Sequence, residues 1–172
     1  MPEAPVLPDV LPPGLTLVFC GTAAGRLSAL RGQYYAHPQN KFWRTLHAVG
    51  LTPRLYAPHE YPLSPGLGIG LTDIAKHASG MDHQLPAGSL GREAIDDLRA
   101  RIGRARPRIL AFTSLAGGRR LLGPRAKAGK QDATIGETAL WILPSPSPAA
   151  QNAWNESIWR ALARDVVRLR ET

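Results

Sequence analysis

Residues 19–43 read FCGTAAGRLSALRGQYYAHPQNKFW, and the four residues before them are LTLV. Leu15 to Cys20 is a short apolar run ended by Gly21, the pattern of a buried strand. A glycine-bearing turn follows, then two tyrosines, then His37-Pro38. From Gln39 to Val49 the spacing predicts a helix: Pro38 suits a first turn, Gly50 suits an end, and Phe42, Trp43, Leu46 and Val49 make one apolar face. A strand that runs through glycines into a helix is the opening unit of an α/β fold, with its loop at the strand's carboxyl end.

The rest of the chain repeats that unit. Residues 51–66 are rich in proline and loop-like, and Leu67 to Ile74 (LGIGLTDI) reads as a second strand weakened by its glycines. Residues 75–88 are expected as loop and 89–103 as a helix, with Ser89 at its cap and Leu90, Ala94, Leu98 and Ile102 spaced by four. Ile109 to Phe112 is a third strand, followed by a helix over 115–122. Residues 123–133 are a polar, basic loop, and Thr134 to Leu143 is a hairpin or one long strand. The last helix is expected over 152–170, with Trp154, Ile158, Leu162 and Val166 on one side and Arg160, Arg164 and Arg168 on the other. The expectation is a single α/β domain over 15–172, three layers α-β-α around a mostly parallel sheet, after a proline-rich leader over 1–14. In such sheets a ligand lies beyond the carboxyl ends of the strands, here Gly21 onward, Thr72-Asp73, Thr113-Ser114 and Ser145 onward.

Composition narrows the classes. The chain has 172 residues, 44% hydrophobic and 20% charged, which suits one globular domain. Lys and Arg number 21 against 13 acids, a net charge of +8 that suits a polyanionic partner. From Arg99 to Lys130 there are ten basic residues and no acid, Arg119, Arg120, Arg125 and Lys127 among them, a candidate phosphate track. One cysteine, Cys20, excludes an internal disulfide and a cysteine-held metal cluster. No HxxxH or HExxH pair occurs, so no metal is expected; GTAAG is not GxGxxG and there is no GxxxxGK[ST], so no nucleotide cofactor is expected. There is no GxSxG elbow. With no run of eighteen apolar residues and no basic-then-apolar start, neither membrane contact nor a signal peptide is expected, and a cytoplasmic location follows, on the nucleoid in a bacterial cell.

Four segments together carry a family resemblance. Leu17-Val18-Phe19-Cys20-Gly21 with Gly25 is similar to the strand and GxNPG turn of the uracil-DNA glycosylase superfamily. Gly32, Tyr35 and Asn40-Lys41-Phe42-Trp43 resemble its GxxF/Y…NxFW run, and Gly68 to Asp73 its GxGxT[N/K] strand end. Leu143-Pro144-Ser145-Pro146-Ser147 resembles its LPNPS segment, preceded by Gly129-Lys130-Gln131 and Thr134-Ile135-Gly136. The branch most similar is the mismatch-specific uracil/thymine one, while QYYAHPxNxFW also resembles the hypoxanthine branch.

The resemblance implies a monomeric, monofunctional glycosylase that needs no cofactor. It would hydrolyse the N-glycosidic bond of a uracil flipped out of single- or double-stranded DNA, with hypoxanthine as the alternative base. No lysine in the motifs is placed as a Schiff-base nucleophile, so water is the expected nucleophile. Tyr35, with Tyr34 beside it, would stack on the base, and Gly21, Thr22 and Ser114 would line its pocket. Ser145 and Ser147 would bond a phosphate. Ala149, Ala150 and Gln151 stand where the family inserts a larger side chain into the duplex, and Arg119, Arg120 and Lys130 would track the backbone.

One departure governs the chemistry. The family's water-holding asparagine is replaced by Ala23. Three side chains remain as candidates, Asn40 through its amide oxygen, Asp73 as a true base and His37, besides catalysis by backbone and leaving-group stabilisation alone. A protein that binds uracil-DNA without turnover is the non-enzymatic alternative.

Overall fold

A computed structural model of the chain describes residues 4–171; the first three residues of the expected leader and Thr172 of the expected domain lie outside them. Five strands, β1 (Leu17–Ala24), β2 (Ile69–Ser79), β3 (Ile109–Phe112), β4 (Gly129–Ile135) and β5 (Thr138–Ile142), form one sheet in the order β2-β1-β3-β5-β4. All neighbours are parallel except the β4–β5 hairpin. Helices α1 (Arg26–Arg31), α2 (Phe42–Ala48), α3 (Arg92–Ala105), α4 (Leu115–Leu122) and α5 (Glu156–Arg170) complete the chain. The expected α/β architecture is the observed one.

Alternation along the parallel strands splits the core in two. Leu17, Phe19, Leu71 and Ala111 face α2 and α5, meeting Phe42, Trp43, Leu46, Trp159, Leu162 and Val166. Val18, Cys20, Leu110 and Phe112 face α3, meeting Leu98 and Ile102, with Leu115 and Leu122 of α4 packed alongside. Phe19 sits at the centre of the first half, edge-on to Phe42 at 5.0 Å and stacked with Trp159 at 5.8 Å. Such aromatic pairs add about 0.5–1.5 kcal/mol each beyond their burial.

Several boundaries differ from expectation for local reasons. β1 does not stop at Gly21; it stays paired with β2 to Ala23, and Gly25 begins α1, a helix that the sequence did not announce. α2 starts at Phe42 rather than Gln39, because His37 to Asn40 closes a turn, Asn40 N–H donating to His37 O at 2.9 Å. Ser89 does not cap α3; its hydroxyl donates to Pro86 O at 2.7 Å and Gly91 takes the cap. α5 begins at Glu156, where Asn155 Oδ1 accepts the Ser157 N–H at 3.0 Å. Part of the expected 123–133 loop is β4, and the hairpin alternative for Thr134 to Leu143 is the observed one.

The proline-rich start is packed onto β2. Val6 N–H donates to Lys76 O at 2.6 Å, Val10 and Leu71 exchange bonds at 2.9 and 3.0 Å, and Leu7 is buried. This strip covers the sheet edge that β2 would otherwise expose. It also explains Gly70: a Cβ there would lie 2.4 Å from Val10 O.

Candidate active site

β1 and β3 are neighbours; the connection leaving the carboxyl end of β1 runs to β2 on one side, and the one leaving β3 runs toward β4 and β5 on the other. That is where a doubly wound sheet opens a crevice. Gly21 pairs with Asp73 across β1 and β2. A methyl group on Gly21 would sit 2.6 Å from Asp73 Oδ1, 3.5 Å from the Tyr35 hydroxyl and 3.7 Å from Thr113 Oγ1. Three polar atoms from three segments therefore converge on one point, and the missing side chain of Gly21 makes the room.

Asp73 is 4% exposed, and burial pushes its carboxyl up to about 6; Lys76 and Arg101 pull it down and Asp9 pushes it further up. A buried carboxyl near 6 is matched to proton abstraction close to neutral pH. Tyr35 is half-buried and holds φ at +53°, a left-handed conformation that costs a residue with a Cβ about 1 kcal/mol or more. Its ring lies on Phe42 with centroids 3.8 Å apart and planes at 18°, and its hydroxyl is 3.0 Å from Thr113 Oγ1. Burial raises the Tyr35 phenol, so it stays neutral. One ring face is thus occupied, and a base can stack only on the other. By strand alternation the Thr22 N–H points to the β3 side just past the last pair, Cys20 with Phe112.

The other expected residues separate into two groups. Asn40 Oδ1 accepts the Phe42 N–H at 2.9 Å and starts α2, leaving one lone pair of that oxygen. His37 is exposed, and its Nδ1 accepts the Gln39 N–H at 3.1 Å, so Gln39 rather than Pro38 fixes the ring. Ser145 Oγ accepts the Ser147 N–H at 3.2 Å and Ser147 Oγ the Ala149 N–H at 3.3 Å. This segment abuts the Asn40 turn, since Lys41 N–H donates to Pro146 O at 2.9 Å and Lys41 Nζ lies 5.6 Å from the Trp154 ring. Ala149 and Gln151 are exposed and Ala150 is half-buried, on a short 3₁₀ helix over 148–153.

Three expectations need correction. Tyr34 is a core residue, 2% exposed, and its hydroxyl donates to Pro8 O at 2.9 Å, which leaves no ring face for a base. Ser114 caps α4, its Oγ accepting the Gly117 N–H at 2.9 Å; its neighbour Thr113 faces the site instead. Strand alternation could have found Thr113, because Ala111 faces Phe19 and the residue two further on must face Gly21. Thr22 turns its hydroxyl away to Asp82 Oδ1 at 2.6 Å, so only its backbone can serve the site.

The basic run is also not uniform. Arg119 Nε donates to Ala126 O at 2.9 Å and braces the loop, and Lys130 pairs with Asp165 at 3.3 Å. Arg120, Arg125 and Lys127 are exposed, whereas Arg101 is 9% exposed and points inward. Sequence reasoning missed Arg101, although its place between Leu98 and Ile102 on the apolar face of α3 marks it. Two surface clefts lie elsewhere: about 600 Å³ beside Asp9, Leu11 and Arg104, and about 500 Å³ between Val49 and the arginines of α5. The point beneath Gly21 is closed by the Tyr35–Thr113 contact.

The fold and this crevice define a doubly wound α/β protein with its polar cluster at the sheet's switch point. The family model of the uracil DNA glycosylase superfamily matches residues 8–164, and the chain belongs to that superfamily. Its structure is also similar to the solution NMR structure of a candidate uracil DNA glycosylase from Methanosarcina acetivorans. The two share 25% identity over 93% of this chain and 96% of the other, with a TM-score of 0.60.

Proposed function

We propose that the chain is a monofunctional DNA glycosylase that hydrolytically removes uracil from DNA and leaves an abasic site, acting as a monomer without a cofactor. The carrying observation is the convergence of Asp73, Tyr35 and Thr113 on Gly21, in a chain of this superfamily. A target base leaves the stack, enters beneath Gly21 and stacks on the free face of Tyr35, an interaction worth roughly 1–3 kcal/mol. Entry breaks the Tyr35–Thr113 contact and frees both hydroxyls for the base or sugar. The Gly21–Thr22 backbone donates to the base oxygen as negative charge grows on the leaving group.

With Ala23 unable to hold water and one lone pair of the Asn40 oxygen taken by the Phe42 N–H, the buried Asp73 carboxyl is the stronger base to activate it. The ionised carboxylate accepts a water proton as the water oxygen attacks C1′ and the C1′–N bond breaks. The QYYAHP run supports hypoxanthine as the second substrate and a placement between the mismatch-specific and hypoxanthine branches.

Ser145 and Ser147 take a phosphate beside the flipped nucleotide, and Arg120, Arg125 and Lys127 follow the backbone. Ala149 and Ala150 are too small to fill the hole in the duplex, so the opposing base matters little. The test is excision from oligonucleotides carrying uracil, hypoxanthine, xanthine or a T:G mismatch, read as alkali-sensitive breaks. Similar rates on U:A, U:G and single-stranded uracil support the reading, and strict dependence on U:G contradicts it. Salt-dependent binding with no breaks on any substrate would instead assign a non-catalytic reader.

A further inference from the structure

The Asp73 main chain is not held by its own strand alone. Arg101 reaches its peptide oxygen from α3, on the other face of the sheet. Its Nη2 donates to the Asp73 main-chain oxygen at 3.1 Å and its Nε to Asp97 Oδ2 at 2.8 Å. Its Nη1 donates to Asp9 Oδ2 at 3.1 Å and also to the Thr72 hydroxyl. Asp9 completes the arrangement from the N-terminal strip: its Oδ1 accepts the Thr72 hydroxyl at 2.6 Å and pairs with Lys76 at 2.8 Å. Lys76 in turn donates to the Tyr34 hydroxyl at 3.3 Å. One carboxylate and two buried cations thus tie together β2, α3, the chain start and the segment that carries Tyr35.

A buried ion network of this kind is a poor source of net stability, since desolvation offsets attraction. Its effect is geometric. A planar guanidinium with several donors engaged fixes its acceptors in direction as well as distance. Here one acceptor is the peptide oxygen of the residue whose carboxyl meets Gly21.

We propose that Arg101, with Asp9 as its counter-charge, is a positioning residue for excision, locking the Asp73 main chain so that the carboxyl stays beneath Gly21. This rests on the reading of Asp73 given above. The titratable and charged groups coupled to that carboxyl are Tyr34, Tyr35, Lys76, Asp9 and Arg101, with Cys20 from the opposite face of the sheet. Arg101 and Asp9 act on it with opposite signs, which gives the test its direction.

Single-turnover excision from a uracil-containing oligonucleotide is measured between pH 5 and 9 for Arg101→Met, Arg101→Lys and Asp9→Asn. Each change is also made together with Asp73→Asn, and binding to an abasic-site analogue and the melting temperature are followed in parallel. Arg101→Met is expected to lose at least tenfold in rate with binding within twofold, Arg101→Lys to recover part of it, and neither to cost further rate once Asp73 is Asn. The midpoint of the rate–pH curve should rise in Arg101→Met and fall in Asp9→Asn, an isosteric change that remains informative if the methionine variant folds poorly. Midpoints that stay fixed or move together, or an Arg101 loss that persists in full beside Asp73→Asn, overturn the inference while leaving an active wild type as a glycosylase. An inactive wild type refutes both.

Discussion

Replacing Asp73 by asparagine should make the protein more stable and less active at once, and the stability gain should depend on pH. The Asp73 carboxyl titrates at about 6 in the fold against an ordinary value of 3.8, because burial disfavours its charge. The folded state therefore binds the proton more tightly than the unfolded chain, so stability falls as pH rises from about 4 through 6 and the full penalty is present above 6. At about 1.36 kcal/mol per tenfold change, the ionised carboxyl costs the fold about 3 kcal/mol at pH 8. The same relation roughly halves that cost at pH 5 and leaves little of it at pH 4. Asparagine keeps the shape and removes the charge. For a domain of this size the pH 8 figure corresponds to roughly 6–12 °C in melting temperature. Thermal melts of both proteins from pH 4 to 8 would show the gap opening with pH. A variant that melts at or below the wild type at pH 8, or a gap that does not change with pH, refutes the account of a buried carboxyl kept for chemistry at the expense of stability.

Further outcomes follow from the same geometry. Asp73→Asn should lower the single-turnover rate at least tenfold, about 1.4 kcal/mol of barrier, and Asn40→Ala less than that; the reverse order would return the water to Asn40. Gly21→Ala places a methyl 2.6 Å from Asp73 Oδ1, so excision should fall by at least tenfold with the fold intact by circular dichroism. Gly70→Ala meets the Val10 carbonyl at 2.4 Å and should destabilise by about 1–3 kcal/mol in urea unfolding, as overpacking does. Arg120→Ala with Arg125→Ala should weaken binding to all DNA sequences alike and flatten the salt dependence by about two phosphate contacts, whereas Arg119→Ala alone should act mainly by loosening the Ala126 loop.

The alternation of apolar runs with amphipathic segments was enough to place the layers, because burial on both faces leaves a strong mark in sequence. β3 and α4 were legible to the residue, because the apolar run Ile109 to Phe112 and the helix after it stand out from the polar segments on either side. The extension of β1 through Thr22 to Ala24 was hidden, because glycine and alanine carry no strand signal and the pairing with β2 decides. Ser114 was mistaken for Thr113 and Tyr34 for a second pocket wall because adjacent residues with the same chemistry are told apart only by the direction of the side chain. Asn40 read from the sequence as a water holder; its Oδ1 takes the Phe42 N–H at the start of α2 and keeps a second lone pair. Arg101 and Asp9 looked like part of a basic run and part of a leader; only the fold sets them against Thr72 and Asp73, since nothing local in either segment refers to the other.

The strip over residues 6–10 has a consequence for synthesis. Asp9 and its partner Arg101 are 92 positions apart, and Val10 waits for Leu71. A chain growing from the ribosome holds β1 and Tyr35 long before it holds α3, and contacts of such long range form late. Until Arg101 emerges, the Asp73 peptide oxygen and the Asp9 carboxylate lack the guanidinium that joins them in the finished fold. An unfinished chain can therefore collapse its apolar half before Asp9 and Arg101 meet, and the Asp73 main chain gains that brace only when α3 packs against residues 6–10.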